Sequence, residues 1–312
     1  MFNNQTLLTK YLEEAAAGNR ITVRKDYPLS RLSSFRIGGE AAFAVWPENV
    51  GELTALAALS SSLSVPTVIV GNGSNLLFDD LGYDGLVIVT TSLTGIRRDG
   101  DYLTAECGVP LTHLASVAGK AGLGGLSFAY GIPGTLGGAV FMNAGAYGSE
   151  IGDVVARVDW YDPGTEEFGS SEGAENGFSY RASRYQRENK LILSAELTLS
   201  PADPEALSRE MEDYLSRRRE KQPLEYPSAG SAFKRYPGRY TSRLIDEAGL
   251  KGTAVGGAQV SEKHAGFIIN RGGATASDVL MLMKTVQDVV REKYQIEIES
   301  EIRYIPCPGH EK

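Results

Sequence analysis

Three side chains stand out by type and neighbourhood as candidates for chemistry. They are Arg181 in "FSYRASRY" (178–185), Ser231 in "EYPSAGSAFKRYPGRY" (225–240) and Glu301 in "IEIESEIRYIP" (296–306). A guanidinium holds a carboxylate through a planar fork, although an arginine outside a strand is ordinarily just solvated. A serine among Gly, Ala and Ser is ordinarily a turn residue. No G-x-S-x-G elbow surrounds Ser231 and no histidine lies near it in sequence, which weakens a hydrolase reading. Glu301 sits among carboxylates on a strand face, where a solvated edge is the ordinary state, and His264 in "EKHAGF" reads as a core or loop histidine.

Two further stretches offer backbone rather than side chains. In "VIVGNGSNLL" a strand runs into Gly71-Asn72-Gly73-Ser74-Asn75, followed by Leu76. Successive N–H groups in such a turn can converge on an anion, with Ser74 and Asn75 adding side-chain donors. Leu76 breaks the dinucleotide pattern G-x-G-x-x-G, and no Gly-Lys-Ser/Thr follows to make a Walker loop. A type I′ hairpin centred on Asn72-Gly73 is an equal alternative. The second stretch, "GIPGTLGGAVFMNAGAYG" (131–148), holds six glycines. Each costs about 0.5–1 kcal/mol relative to alanine in a regular element, so the stretch needs a compensating reason. Ile132, Leu136, Val140, Phe141 and Met142 interleave with the glycines and argue for a buried, ordered loop rather than a linker. Gly134, Gly137 and Gly138, with Thr135 between, can bring a second backbone segment to the same ligand, while Asn143 and Tyr147 are sparse polar handles. Two such loops fit one large, flat, diphosphate-containing ligand.

These residues need a scaffold, and the composition allows one. The chain has 312 residues, 42% hydrophobic and 22% charged, enough for two or three cores. A net charge of −8 argues against a sequence-independent nucleic-acid or anionic-membrane surface. Apolar runs such as "VPTVIV" (65–70) are far too short to span a bilayer, and "MFNNQTLLTKYLEE" lacks the pattern of a secretory signal. Cys107 and Cys307, without C-x-x-C spacing, suit a reducing cytoplasm, and three scattered histidines (His113, His264, His310) speak against a bound metal.

Apolar spacing predicts helices over 5–17, from Pro47 onward through Val50, Leu53, Leu56 and Ala57, over 110–122, from 204, and over 242–250. Another follows the capping box Thr275-Ala-Ser-Asp278, with Val279, Leu282, Met283, Val286, Val289 and Val290 as a core stripe. Strands are predicted at 41–46, 65–70, 86–90, 102–108, 154–162, 191–200, 265–270 and 296–306. The last places Ile296, Ile298, Ile302 and Tyr304 on one face. A composition shift at "SPADPEAL" (200–207) reads as a domain boundary. Strands not strictly alternated with helices indicate α+β rather than a doubly wound sheet.

In order, "SSFRIGG", "VGNGSNLL", "GIPGTLGGAVFMNAGAYG", "FSYRASRY", "KQPLEYPSAGSAFKRYPG", "LIDEAGLKG", "HAGFIIN" and "SEIRYI" resemble the UDP-N-acetylenolpyruvoylglucosamine reductases over nearly the whole chain. The match is to the shorter form, which lacks a tyrosine-bearing insertion; none lies between 185 and 225. The resemblance implies a vanillyl-alcohol-oxidase-like FAD-binding domain of two α+β subdomains (1–95 and 96–202) and a C-terminal α+β substrate domain (203–312). It implies non-covalent FAD, NADPH as reductant and a UDP-sugar substrate. It further implies a monomeric cytoplasmic enzyme of peptidoglycan precursor synthesis without metal, membrane or nucleic-acid partner.

The same resemblance assigns Gly71, Asn72, Gly73, Ser74, Asn75, Leu76, Gly134, Thr135, Gly137, Gly138 and Asn143 to the FAD. It assigns Tyr147, Tyr180, Lys221, Lys234 and Arg235 to the substrate, and Arg181, Ser231 and Glu301 to catalysis. Tyr236 stands where the shorter form usually has proline, and Ser34 where it has threonine. The implied reaction passes hydride from flavin N5 to the terminal CH₂ carbon of an enol ether. Arg181 would hold the adjacent carboxylate and Ser231 would supply the proton. Glu301 beside growing negative charge is odd unless it is protonated or orients another donor. The alternative on a similar fold is an FAD-linked oxidase or dehydrogenase of alcohols or 2-hydroxy acids. Many of those tether flavin through His or Cys, and the first glycine loop contains neither.

Overall fold

A computed structural model describes residues 4–17 and 21–310. The chain forms two compact units, each assembled from separate segments: Met1–Lys25, Phe43–Asn72 and Gly85–Arg217 in the first, Asp26–Ala42, Gly73–Asp84 and Arg218–Lys312 in the second.

In the first unit, α1 (Asn4–Ala17) buries Leu8, Leu12 and Ala15 of the apolar stripe its spacing predicts, whereas Tyr11, expected on the same stripe, is exposed because it lies at the stripe's edge. Helix α2 (Val50–Ser62) begins after Pro47, not at it. Asn49 is its N-cap, with Oδ1 accepting from Glu52 N at 3.0 Å while Glu52 Oε2 accepts from Glu48 N at 2.7 Å. A side-chain cap satisfies two otherwise orphaned amides, which proline at the same place cannot do. Helix α3 (Leu111–Lys120) follows Pro110 as expected.

Helix α4 (Leu136–Met142) was not expected, because it lies within the glycine-rich stretch read as a loop. Packing rather than propensity explains it. A Cβ on Gly137 would stand 2.9 Å from Cys107 Cβ, so this backbone lies directly against the turn that follows the strand Tyr102–Glu106, and Gly137 N donates to Cys107 O at 2.8 Å. The strands behind it form a five-stranded antiparallel sheet, in the order Glu167–Glu172, Val155–Asp162, Leu191–Thr198, Tyr102–Glu106, Ile96–Asp99. Leu191, Leu193, Ala195, Leu197 and Leu199 are buried, as their alternation requires. Thr67–Val70 pairs in parallel with Leu86–Val89.

The passage into the second unit at 217/218 falls inside α5 (Pro204–Lys221). Helix α6 (Thr241–Glu247) ends at Ala248, with Gly249 at φ +78. Helix α7 (Ala276–Tyr294) carries the capping box, and Val279, Leu282, Met283, Val286 and Val290 are buried with Val289 half-buried against the same cluster; the stripe is core. Asp80 adds a second cap, its carboxylate accepting from Ala276 N (2.7 Å) and Ser277 N (3.0 Å).

Ala254–Val255, Ala258–Val260 and Ile268–Asn270 form an antiparallel sheet. The strand expected at 265–270 is therefore only its last three residues. The terminal strand is likewise shorter than 296–306. Only Arg303–Ile305 is regular, paired in parallel with Leu76–Phe78. Ile296, Ile298 and Ile302 are buried as expected, but Tyr304 turns outward and donates its hydroxyl to Asp79. A period of two carries only along one unbroken strand, and a bend at Ile302, between the Ser300 bridge and the strand Arg303–Ile305, breaks it before Tyr304. The fold class is α+β.

Candidate active site

The first glycine-rich turn is not a hairpin, since its flanking strands pair elsewhere, Thr67–Val70 with Leu86–Val89 and Leu76–Phe78 with Arg303–Ile305. Its first two residues instead meet the second glycine-rich stretch. Asn72 Nδ2 donates to Pro133 O at 3.0 Å. A Cβ on Gly71 would lie 2.2 Å from Thr135 Oγ1, a separation only glycine allows. Among the described residues no acceptor is found for the N–H groups of Gly134 and Thr135. Backbone laid against backbone, with amides uncommitted, fits a diphosphate-bearing cofactor that takes its contacts from N–H groups.

In the second unit the turn continues. Gly73, at φ +58, accepts at its carbonyl from Ser34 N (3.2 Å) and Leu76 N (3.5 Å). The N–H groups of Ser74 and Asn75 find no acceptor among the described residues. Asn75 joins this turn to the C-terminal segment: its Nδ2 donates to Glu301 O (3.0 Å) and its carbonyl accepts from Arg303 N (3.0 Å).

The same C-terminal segment runs beside the serine loop. Glu301 N donates to Ala232 O (2.9 Å), Lys234 N donates to Glu299 O (2.9 Å), and Phe233 bridges Ser300. Ser231 and Glu301, 70 positions apart in the numbering, thus occupy adjoining half-buried segments. Phe267 supports Ser231 from the other side as its bridge partner, and Ser34 Oγ donates to Ser228 O at 2.7 Å. Lys234 Nζ is paired with Glu299 Oε2 at 3.0 Å, and the Arg235 guanidinium lies 5.1 Å from the Tyr240 ring centroid. Lys221 is exposed at the end of α5.

Arg181 belongs to a third group, in the first unit. It sits in the turn closed by reciprocal hydrogen bonds between Ser179 and Ala182, both 3.0 Å, at φ +54. Such a conformation costs a non-glycine residue of order 1–3 kcal/mol. Arg181 Nη2 donates to Gly145 O (3.0 Å), and the guanidinium lies 5.1 Å from the Tyr180 ring centroid. Tyr147 is also left-handed (φ +57). Its ring stacks on Tyr214 at 4.2 Å and 6°, and its hydroxyl donates to Tyr214 O at 2.7 Å.

Asn143, assigned to the cofactor by the resemblance, has a side chain engaged with the protein itself. It is fully buried, its Nδ2 donates to Glu150 Oε1 (2.7 Å) and Ser179 O (2.9 Å), and its Oδ1 accepts from Gly152 N (2.9 Å). Its side chain therefore ties the end of α4 to the Arg181 turn.

Sequence reading missed the brace on the far side of that turn. Arg184 holds Glu188 bidentately (2.9 Å each) and donates to Ser171 Oγ and Glu175 O, both at 3.0 Å. Lys190 adds a second ion pair to Glu188 at 2.9 Å. Arg184 and then Lys190 hold the Glu188 carboxyl down to about 2 from an ordinary 4.5. A depressed carboxylate stabilises the fold fully above the unfolded value and loses that contribution as pH falls through the folded one. With Glu188 38% exposed, screening limits the pair to about 1 kcal/mol. Glu188→Gln is therefore expected to lower stability by about 1 kcal/mol at pH 7, with the gap to wild type narrowing below pH 4.5 toward pH 2. Urea midpoints measured across that range check it. The i,i+4 spacing of Arg184 and Glu188 was the one available signal, and it is common on any solvated surface.

Residues 222–305 match the family described as UDP-N-acetylenolpyruvoylglucosamine reductase, C-terminal domain, and residues 41–167 match an FAD binding domain. The chain is 47% identical over 285 residues to a UDP-N-acetylenolpyruvoylglucosamine reductase from Caldicellulosiruptor bescii, covering 90% of each chain. It is 44% identical to one from Lactobacillus acidophilus, covering 91% of this chain and 95% of that one. The crystal structure of the reductase from Thermus caldophilus superimposes with a TM-score of 0.78 at 34% identity, covering 92% of this chain and 99% of that one. With its paired glycine-rich loops and the joined serine and glutamate segments, the chain belongs to the UDP-N-acetylenolpyruvoylglucosamine reductase family.

Proposed function

We propose that this protein reduces the enolpyruvyl group of UDP-N-acetylglucosamine enolpyruvate to give UDP-N-acetylmuramate, with FAD as cofactor and NADPH as reductant, in bacterial peptidoglycan precursor synthesis. The observation that carries the reading is the bond from Glu301 N–H to Ala232 C=O, which joins the segments of a hydroxyl and a carboxyl that this chemistry needs.

When bound, FAD would supply the hydride chemistry that links NADPH to the enol ether. The chain's residues do the rest. Gly71, Asn72, Gly73, Ser74, Asn75 and Leu76, with Gly134, Thr135, Gly137, Gly138 and Asn143, would hold that cofactor, with the uncommitted N–H groups of Ser74, Asn75, Gly134 and Thr135 available to its diphosphate. Arg181 grips the substrate carboxylate by its planar fork and stabilises the charge that grows on it. Ser231 protonates the neighbouring carbon, and Glu301 orients that donor. Tyr147 and Tyr180 flank the substrate, and Lys221, Lys234 and Arg235 meet its diphosphate. For Lys234 this means exchanging Glu299 for a phosphate oxygen.

The segments 1–95 and 96–202 serve as the two cofactor-binding subdomains and 203–312 as the substrate domain. The enzyme works as a cytoplasmic monomer on a free sugar nucleotide, with neither nucleic acid nor membrane as partner. Among the described residues no helix is long and apolar enough to cross a membrane.

Anaerobic photoreduction of the holoenzyme followed by addition of the enolpyruvyl sugar nucleotide tests the reading. The oxidised flavin absorbance is expected to return within the mixing experiment. A spectrum that stays bleached, with NADPH still able to reduce the oxidised enzyme, rules it out.

A further inference from the structure

We infer that Gln186 is a positioning residue, which sets the Arg181 turn against the glycine-rich segment and thereby the angle at which the guanidinium meets a carboxylate. The inference rests on the part proposed for Arg181. Gln186 Nε2 donates to Arg181 O at 3.0 Å and to Phe141 O at 2.9 Å, so both amide protons are committed to carbonyls on two different segments. Phe141 O also accepts from Ser183 Oγ at 2.7 Å. From the opposite end, Asn143 Nδ2 reaches Ser179 O at 2.9 Å, and Arg181 Nη2 reaches Gly145 O at 3.0 Å. The four-residue turn is thus cross-linked at its start, its apex and its exit to the single segment 141–145.

The local backbone explains why such bracing is needed. Asn143 (φ +43), Tyr147 (φ +57) and Arg181 (φ +54) are three of the eight left-handed non-glycine residues described, and all three lie in this patch. Conformations of that kind persist only where the surroundings over-determine them. The Ser179–Ala182 pair closes the turn but leaves its rotation against α4 open, and the links from Gln186 and Asn143 close that freedom. Fork recognition of a carboxylate is angular, so a small rotation there degrades transition-state binding far more than it degrades folding.

Gln186 is exposed whereas Asn143 is fully buried, so Gln186 is the residue whose replacement separates positioning from folding. Stopped-flow on the FAD-loaded variants measures the two half-reactions apart. Gln186→Leu removes both donors at similar length; flavin reoxidation by saturating enolpyruvyl substrate is expected to slow about tenfold. Reduction by NADPH should stay within about twofold of wild type and the melting temperature within a few degrees, because neither depends on the carboxylate fork. Gln186→Lys, which restores a donor, should recover most of the lost rate. Wild-type reoxidation in Gln186→Leu, equal slowing of both half-reactions, or no rescue by lysine would overturn the inference. If the wild-type reduced enzyme is not reoxidised by the substrate at all, the failure lies with the proposed function and takes the inference with it.

Discussion

Ser231→Ala is expected to leave reduction of the bound flavin by NADPH intact and to slow reoxidation by the enolpyruvyl substrate about 10²–10⁴-fold, the usual worth of a positioned proton donor. The carbon next to the carboxylate becomes strongly basic once hydride reaches its neighbour, so a weak neutral acid held in place suffices. The substitution is also structurally mild. The ties that place this segment are main-chain ones, Ala232 N to Gly266 O at 2.8 Å and Glu301 N to Ala232 O at 2.9 Å, and alanine keeps both. A loss confined to the oxidative half-reaction would therefore report the hydroxyl itself. Rapid-mixing absorbance of the flavin separates the two halves, and unchanged reoxidation would remove Ser231 from the role.

Gly73→Ala should be among the most damaging single substitutions in the chain. Its Cβ would fall 1.8 Å from Leu32 O and 2.8 Å from Leu32 C, and the residue is held at φ +58. The clash is with main chain, so no side-chain rotation relieves it, and the turn itself must move. Movement there breaks the Ser34 N to Gly73 O bond and drags Asn75, which holds Glu301 O and Arg303 N. We expect about 3 kcal/mol or more of destabilisation, a melting temperature lower by roughly 6 °C or more, and loss of flavin on gel filtration. Gly100→Ala is the control. Gly100 has the same φ of +58 but nothing within 4 Å of the added carbon, so only the left-handed backbone cost of about 1 kcal/mol remains. If the two variants melt alike, the close approach of Gly73 to Leu32 is not what the glycine is for.

Much of the scaffold was legible because its signals are local. The stripes of α1 and α7, the Thr275–Asp278 cap and the alternation at 191–199 are each set within one or two turns or strand repeats, and burial followed them except at Tyr11 and, in part, Val289. The candidate residues were legible mainly through the ordered motifs of a family, since by type alone Ser231 and Glu301 were indistinguishable from turn and edge residues. Helix α4 was not legible. Glycine is about 1 kcal/mol poorer than alanine in a helix, and only the close approach of Cys107 makes glycine necessary at position 137. Gln186 and Arg184 were missed for a related reason: their partners are carbonyls and a carboxylate whose positions depend on the fold.

By itself, then, the order of residues determined which short segments become helix or strand, where several of them start and stop, and which side chains are available for chemistry. Those are decisions of neighbours within a few positions, made by spacing, capping and steric limits on φ. Only the tertiary structure decided which segments share a unit. It placed 26–42 and 73–84 with 218–312, and it set Asn75 against Glu301 across 226 positions of chain. That joining comes from burying the apolar faces of Leu77, Phe35, Ile37 and Ile302 in one common core. Hydrophobic burial has no direction and carries no record of sequence distance, so no local pattern announces it.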